Sequence, residues 1–335
     1  MAVTITDVAR LAGVCPATVS RYINGATNID PKIRERVSSA MHELGYMPNT
    51  FAQSLRQNRS RTIGIIASDM SVDFFARLSR EMEMGLLPNE YAAFSVSTYD
   101  QPEIEKNTLR LMASRRVDAL LVCSSNQNDE LLMEINKSGI PIILYDRRSR
   151  TIDFPTVYVD KRKAMILALD HLFALGHRNV AMITGARTLS TNYDRFMGMQ
   201  DYAFDHGVAS SNFVSRFGMY TPEYAEQAMD ELMSMKTPPT AVICGSISNT
   251  VGVITYCRRK GLRIPDDISV ISFGTFSYPQ LVEPAITYIS DGTEALAKAL
   301  IDILMPVMNG GQIESGKSVV IEPELVIQKS CKKLI

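Results

Sequence analysis

The chain of 335 residues lacks the motifs that identify several large classes of enzymes. It contains no GxSxG pattern of serine hydrolases, no GxGxxG of dinucleotide-binding folds and no phosphate-binding P-loop. No nucleophile, base and orienting group can be assembled from the remaining motifs. The sequence therefore provides no support for an enzyme, and it predicts no cofactor.

Patterns typical of disulfides and metal sites are also missing. The five cysteines show no CxxC spacing and lie mostly in apolar stretches, which predicts buried, reduced thiols and no disulfide. His171 and His177 are six residues apart, which is not the i, i+4 spacing that places two ligands on one helix face. A structural role is favoured over a metal site.

Long apolar segments are absent as well. No apolar run reaches eighteen residues, and the N-terminus has neither a signal-peptide nor a transit-peptide pattern. The protein is therefore expected in the cytoplasm, without a membrane partner. With 46% hydrophobic residues, the chain is long enough for a small head and two further domains of ordinary size.

The first sixty residues have the pattern of a helix-turn-helix followed by a third helix. Thr6 is expected to cap a first helix over residues 7–12, and Gly13 ends it because glycine reaches positive φ without steric cost. A third helix is predicted over residues 31–44, capped by Asp30. The expected apolar stripe of the first helix consists of Val8, Ala9, Leu11 and Ala12.

The second helix has the features of a DNA-reading helix. Pro16 suits its first turn because the missing N–H would be unpaired there anyway, and Val19 and Ile23 are expected to face the core. The short polar face opposite fits the major groove, and Arg21 is long enough to reach a guanine edge. The outward residues are Ala17, Thr18, Ser20 and Arg21.

Charge is distributed unevenly along the chain. Residues 1–61 hold eight Lys and Arg against four Asp and Glu, although the whole chain has a formal net charge of −1. A basic head is therefore followed by an acidic body. Contacts with DNA phosphates need such a basic head.

From Arg61 onward, short β-branched runs alternate with amphipathic segments. This pattern predicts parallel sheets with helices on both faces. The first unit contains TIGIIASD, AAFSVSTY, DALLVCS and IPIILYD, and the second begins at TVYVD and continues through VAMITG, TAVICG and ISVISFG. The predicted fold is an all-α helix-turn-helix head followed by an α/β core of two doubly wound parallel-sheet lobes.

Through DVARLAGV, ATVSR, ERV, LGY and PN, the head resembles the DNA-binding domain of LacI/GalR-family transcriptional regulators. The resemblance extends along nearly the whole chain. In that family a PN-A-xx-L segment forms a hinge helix when two subunits meet on an operator, and its leucine wedges into the minor groove. The DNA contacts that the resemblance implies are Thr6, Pro16, Ala17, Thr18, Ser20, Arg21, Asn24, Asn49, Ala52 and Leu55.

The resemblance also implies a core with the periplasmic-binding-protein fold. Ligands of open α/β sheets bind beyond the carboxyl ends of the strands. The chain is expected to cross back into the first lobe near ITYISDG and to return through SVVIEPELVIQKS. The implied domains are a head (1–47), a hinge (48–60), a first lobe (61–158 with 291–318) and a second lobe (159–290 with 319–330).

Matches to the family pattern place an effector site in the cleft between the lobes. They include the aromatic pair after the first strand, the pair that ends IILYDR, the R-xx-G arginine and a pocket aromatic. The matching residues are Phe74, Phe75, Asp146, Arg147, Thr191, Arg195 and Tyr220, and the effector-binding residues expected beside them, where the chain departs from the pattern, are Lys161, Ser246 and Gly274.

Three departures from the family pattern bear on the charge of the effector. Ile247 and Gly274 stand where sugar-responsive relatives usually have acids, and Lys161 replaces the usual asparagine of V-DN. A cleft poorer in acid and richer in base favours an anionic effector, such as a sugar acid or a phosphorylated sugar. The alternative is that Lys161 is a solvated surface residue and the pocket is degenerate or unused.

Two function classes follow from the sequence. The first is a homodimeric repressor of carbohydrate or sugar-acid genes, whose heads read a pseudo-palindromic double-stranded operator while a small effector alters closure of the core. The second is a solute-binding core with a vestigial or effector-independent regulatory role. A transporter's binding protein would need a signal peptide and would carry no basic three-helix head. A dimer is expected rather than a tetramer, because no heptad repeat follows QKSC.

Overall fold

The computed structural model describes residues 3–47, 59–276, 279–311 and 316–334. The chain divides into two compact units, Met1–Ser60 and Arg61–Ile335. Three of the residues expected to contact DNA, namely Asn49, Ala52 and Leu55, lie outside the described residues.

In the part of the first unit that the structure describes, three helices pack as a bundle. They are α1 (Ile5–Ala12), α2 (Pro16–Ile23) and α3 (Pro31–Glu43). Its small core is fully apolar, because one face of each helix is built from aliphatic residues at helical spacing. The buried members are Val8, Ala9, Ala12, Val19, Val37 and Ala40.

Two expectations about α1 were wrong. Thr4 caps the helix instead of Thr6, through a capping box in which its hydroxyl accepts from the backbone N–H of Asp7 and its backbone N–H donates to the Asp7 carboxylate. Leu11 does not belong to the apolar stripe, since 47% of its surface is exposed. The helix begins two residues earlier than expected, and it directs Val8 and Ala12 inward and Leu11 outward.

The turn between α1 and α2 requires glycine. Gly13 has φ +63, and a Cβ built there would lie 2.4 Å from Nη2 of Arg36. That nitrogen donates to the carbonyl oxygens of Ala12 and Gly13. The side chain of Arg36 on α3 thus satisfies carbonyls left unpaired at the end of α1.

The second unit contains twelve strands and eight longer helices among its described residues. The strands are β1 (Thr62–Ala67), β2 (Ala92–Ser97), β3 (Ala119–Val122), β4 (Ile142–Tyr145), β5 (Thr156–Val159), β6 (Val180–Gly185), β7 (Phe213–Gly218), β8 (Ala241–Cys244), β9 (Ser269–Phe273), β10 (Thr287–Ile289), β11 (Ser318–Ile321) and β12 (Leu325–Val326). The helices are α4 (Asp73–Leu86), α5 (Pro102–Ser114), α6 (Asp129–Lys137), α7 (Lys161–Ala174), α8 (Ser190–Asp205), α9 (Pro222–Met233), α10 (Ile247–Lys260) and α11 (Thr293–Met308).

These elements form two lobes, each built on one six-stranded sheet. The strand order is β11-β5-β4-β3-β1-β2 in the first lobe and β12-β10-β9-β8-β6-β7 in the second. All recorded pairs are parallel except that of β12 with β10. Both faces of each sheet carry an apolar core. The expectation of two doubly wound parallel-sheet lobes is confirmed.

Two strands near the expected lobe boundaries both belong to the first sheet. TVYV begins the second unit of the sequence pattern, although the implied first lobe reaches residue 158; it forms β5 and pairs with β4 of the first sheet. SVVI, expected mostly in the second lobe, forms β11 and pairs in parallel with β5. Because β11 completes the edge of the first sheet, the chain returns to the second lobe only between Ile321 and Leu325.

The chain therefore passes between the lobes three times, after β5, after β10 and after β11. The carboxyl ends of the parallel strands in both lobes meet at these crossings, which places a cleft there. None of the described helices is long and apolar enough to span a membrane.

Candidate functional site

The outer face of α2 presents most of the residues expected to read DNA. Pro16, Ala17, Arg21 and Asn24 are exposed, whereas Thr18 and Ser20 are half-buried. Thr6 on α1 is exposed as well. The described residues of the head that were expected to contact DNA are thus exposed or half-buried, and a partner can reach them.

The positive charge of the head is less available than a residue count implies. The guanidinium of Arg34 donates to the carbonyl of Ala26 at 2.8 Å and lies 5.7 Å from the ring centroid of Tyr22. Arg36 is bonded to backbone carbonyls at the end of α1. These two cations stabilise the fold of the head, so the other Lys and Arg side chains of the head are the ones available for phosphate contacts.

Cys15 departs from the expectation that the thiols are buried. It is exposed and stands immediately before α2, with Sγ 3.2 Å from the hydroxyl oxygen of Thr18. That hydrogen bond lowers the pKa of the Cys15 thiol. All five cysteines are free, and Cys123, Cys244 and Cys257 are buried as expected.

The second unit contains a cavity of about 520 Å³ between its two lobes. Every residue expected to bind an effector lines this cavity: Phe74, Phe75, Asp146, Arg147, Lys161, Thr191, Arg195, Tyr220, Ser246 and Gly274. They are brought together because each follows, or begins the helix after, the carboxyl end of a strand.

Two of the three basic side chains in the cavity wall are already neutralised. Arg147 is buried and donates to both carboxylate oxygens of Asp100, at 2.5 and 3.1 Å. Lys161 is only 7% exposed, and its Nζ lies 3.2 Å from Oδ1 of Asp146. The alternative in which Lys161 is a solvated surface residue is therefore wrong.

The pairing of Asp146 with Lys161 also fixes the charge of this carboxylate. Burial of Asp146 opposes its ionisation, but the positive charges of Lys161, Arg147 and Arg195 outweigh burial and lower its pKa. Asp146 follows β4 of the first lobe and Lys161 begins α7 of the second. The ion pair thus links the two lobes at the floor of the cleft.

Arg195, the third basic side chain in the cavity wall, is bonded to neutral groups and not to a carboxylate. Its Nη1 donates to Oδ1 of Asn192 at 2.8 Å and to the hydroxyl oxygen of Tyr220 at 3.1 Å, while the guanidinium carbon lies 4.4 Å from the ring centroid of Phe273. Its Nε is buried and has no hydrogen-bond partner. Among the described residues no carboxylate forms an ion pair with Arg195, so this guanidinium keeps donor capacity for a ligand.

Acidic residues are more numerous in the cleft than the sequence comparison suggested. Asp69 and Asp291 line it in addition to Asp100 and Asp146, so four acids face three bases. The argument that the cleft is poor in acid is therefore wrong. Asp291 is bonded to Arg77, but the only hydrogen bond described for the Asp69 carboxylate comes from the backbone N–H of Ser71.

Sequence reasoning missed Asp69, although a signal for it was available. Asp69 comes two residues after the buried strand β1, at the edge of the sheet where ligands of this fold bind. The Asp100 partner of Arg147 follows β2 in the same way. Both acids lie within three residues of the end of their strand, where the sequence alone could have pointed to them.

Glu105 is a second residue that the sequence did not reveal. Its carboxylate is fully buried on α5 and accepts hydrogen bonds from the backbone N–H and hydroxyl of Ser125 and from the amide of Asn128, at 2.7, 3.0 and 2.9 Å. Ser125 lines the cleft. Glu105 therefore fixes the loop that follows β3 from behind.

The two histidines have no metal partners. His177 is buried, with Nδ1 2.8 Å from the hydroxyl of Thr240 and Nε2 3.1 Å from the carbonyl of Lys332. Across the described ranges no group of three His, Cys, Asp or Glu side chains could hold a metal ion. The contacts of His177 are those of a structural residue.

Comparisons with known proteins agree with this architecture. Residues 4–49 match the family described as bacterial regulatory proteins, lacI family, and residues 169–331 match a periplasmic binding protein-like domain. The HTH-type transcriptional repressor CytR of Escherichia coli (strain K12) is 28% identical over 334 residues, which cover 99% of this chain and 97% of CytR. The HTH-type transcriptional repressor PurR of Klebsiella pneumoniae (strain 342) is 30% identical over 330 residues, which cover 98% of this chain and 96% of PurR.

A solved structure matches along the same length. The lac repressor dimer bound to operator and the anti-inducer ONPF superimposes with a TM-score of 0.87 at 23% identity, covering 99% of this chain and all of that chain. This chain thus shares the fold of that structure. The chain belongs to the lacI family of bacterial regulatory proteins, and it is a DNA-binding transcriptional regulator and not an enzyme.

Proposed function

We propose that this protein is a homodimeric repressor that binds a pseudo-palindromic operator and responds to a small molecule in the cleft of its core. The observation that carries the effector part of the proposal is the cleft between the lobes, in whose wall Arg195 forms no ion pair among the described residues while Arg147 and Lys161 do. Relatives similar over nearly the whole chain are named as repressors, and the lac repressor structure is a dimer on its operator. A regulator of genes acts on the chromosome, so we place it in the cytoplasm.

The charges of the cleft favour an effector with one acidic group. Arg195 on the second lobe has no ion pair among the described residues, and Asp69 on the first lobe has none either. A carboxylate matches a guanidinium bidentately, and hydroxyl groups can donate to an unpaired carboxylate. A sugar acid with one carboxylate meets both needs. A phosphorylated sugar carries more negative charge, which the four acidic side chains lining the cleft disfavour.

Aromatic and apolar side chains complete the site. Phe74 and Phe75 lie on the first lobe with ring centroids 5.0 Å apart, and Tyr220 lies on the second. Aromatic walls suit the less polar faces of a sugar ring, while the few polar groups fix its orientation. We therefore propose regulation of carbohydrate or sugar-acid genes.

The test selects DNA fragments from a random pool with the purified protein, with and without a panel of sugar acids, phosphosugars and neutral hexoses. We expect a pseudo-palindromic sequence and a change in its affinity with a sugar acid. Selection of no specific sequence would contradict the DNA-binding part of the proposal. A response confined to neutral hexoses would contradict the proposed effector class.

A second candidate is a repressor whose DNA binding does not depend on an effector. Two observations favour it: Asp100 and Asp146 neutralise Arg147 and Lys161 without a ligand, and Arg148 joins the lobes outside the cleft. The same selection distinguishes the candidates, because operator affinity would then be unchanged across the whole panel.

A further inference from the structure

Arg21, the residue of α2 expected to reach a guanine edge in the proposed operator, is held by a residue that lies outside α2. Its Nη2 donates to the side-chain oxygen of Asn28 at 2.6 Å. Both side chains are exposed, and seven residues separate them in the sequence. A long guanidinium side chain at the protein surface is thus tethered at its far end.

The segment that carries Asn28 is itself anchored to the head. Arg34 of α3 donates to the carbonyl oxygen of Ala26 at 2.8 Å, two residues before Asn28. Ile29, one residue after it, is buried, and Asp30 caps α3 by accepting from the N–H of Lys32 at 2.8 Å. Because the backbone is anchored on both sides of Asn28, its position beside Arg21 is set by the fold of the head.

We propose that Asn28 is a positioning residue for sequence readout, which orders the guanidinium of Arg21 before the head meets DNA. This proposal rests on the proposed role of Arg21 as a base-reading residue. Arginine recognises guanine with two nitrogens at once, so the orientation of its planar group decides the discrimination between bases. A side chain that is ordered beforehand loses fewer rotamers on binding. Asn28 would therefore favour the cognate base without touching it.

The experiment is a double-mutant cycle on the full-length protein, measured against the operator selected from random DNA and against a scrambled duplex. The variants are Asn28→Ala, Arg21→Ala and the double variant, with Thr27→Ala as the matched control in the same exposed segment. We expect Asn28→Ala to weaken operator binding by about two- to tenfold, the effect of one net hydrogen bond. Scrambled DNA should be bound as before, and Thr27→Ala should match the wild type.

The double variant provides the decisive comparison. If Asn28 acts through Arg21, adding Asn28→Ala to Arg21→Ala causes no further loss. The slope of log affinity against log salt should be the same for Asn28→Ala and the wild type, because no phosphate contact is removed. An equal loss in both backgrounds, or no loss from Asn28→Ala, would overturn the proposal. If Arg21→Ala lowers affinity equally for operator and scrambled DNA, the base-reading role of Arg21 is wrong. This outcome is distinct from the test of whether Asn28 acts through Arg21, which depends on the double variant.

Discussion

Arg148 and Asp194 join the two lobes of the core outside the effector cleft. Arg148 follows β4 of the first lobe, and its Nη2 donates to Oδ2 of Asp194 on α8 of the second lobe at 2.6 Å. The backbone N–H of Arg148 also donates to the hydroxyl of Ser190 at 2.9 Å, and the guanidinium of Arg150 lies 4.2 Å from the ring centroid of Tyr193. The start of α8 is thus clasped by the loop after β4.

Removing the ion pair between Arg148 and Asp194 should favour an open core. We expect Asp194→Asn to increase the radius of gyration in small-angle scattering and to lower the free energy of unfolding by about 1 kcal/mol, since the pair is partly exposed. Asp201→Asn is the matched control, because Asp201 lies on the same helix but pairs with Arg162 inside the second lobe. Equal scattering curves for both variants would show that the clasp does not hold the lobes together.

Arg195 should be required for effector binding. A ligand that binds only the native state raises its melting temperature, and we expect such a shift with sugar acids for the wild type. Arg195→Ala should abolish it, and Arg195→Lys should retain only part, since lysine keeps the charge but not the planar pair of donors. Thermal melts with and without ligand measure this. An undiminished shift in Arg195→Ala would place the acidic group elsewhere.

Leu55 should contribute to operator binding although it lies outside the described residues. Leu55→Ala removes the proposed wedge while keeping a good helix former, and Leu55→Gly adds a helix penalty of about 1 kcal/mol. We therefore expect operator affinity to fall in the order wild type, Leu55→Ala, Leu55→Gly, with effector binding unchanged. Filter-binding titrations check the order. Wild-type affinity in both variants would remove Leu55 from the interface.

Acid should destabilise the core partly through His177. Burial lowers the pKa of His177, so the folded protein disfavours its protonated form. The unfolded chain then binds more protons as the pH falls through about 6.5, and the stability that the neutral imidazole contributes above that value is lost. Denaturant titrations between pH 8 and pH 5 measure the free energy of unfolding, which should depend less on pH in His177→Gln than in the wild type. The control is His42→Gln, since His42 is exposed, and this variant should behave like the wild type. Equal dependence in all three would assign the effect to other groups.

The proposed dimer should be seen without DNA. Exposed apolar side chains on the first lobe, among them Met84, Leu87 and Phe94, provide a surface that a second copy can cover. Sedimentation equilibrium at micromolar concentration should give twice the mass of the chain. A monomer or a tetramer under these conditions would contradict the expectation.

Local signals sufficed for much of the architecture. Capping residues, glycine turns and β-branched runs act over a few residues, so the helices and most strands could be predicted from short stretches. The capping box of Thr4 and Asp7 is also a local signal, and the choice of Thr6 overlooked it. The ten cleft residues were found through the family pattern, which places them at the ends of strands.

The sequence by itself determined the two-part organisation of the protein, the parallel sheets and the positions of the cleft residues. Only the tertiary structure decided which lobe receives β5 and β11 and which charges pair. Arg147 meets Asp100 across 47 residues, Arg148 meets Asp194 across 46, and Arg77 meets Asp291 across 214. Such pairs depend on how the chain crosses between the lobes. No local pattern encodes them, and the pairs of Arg147 and of Asp291 decide how much charge the cleft leaves for an effector.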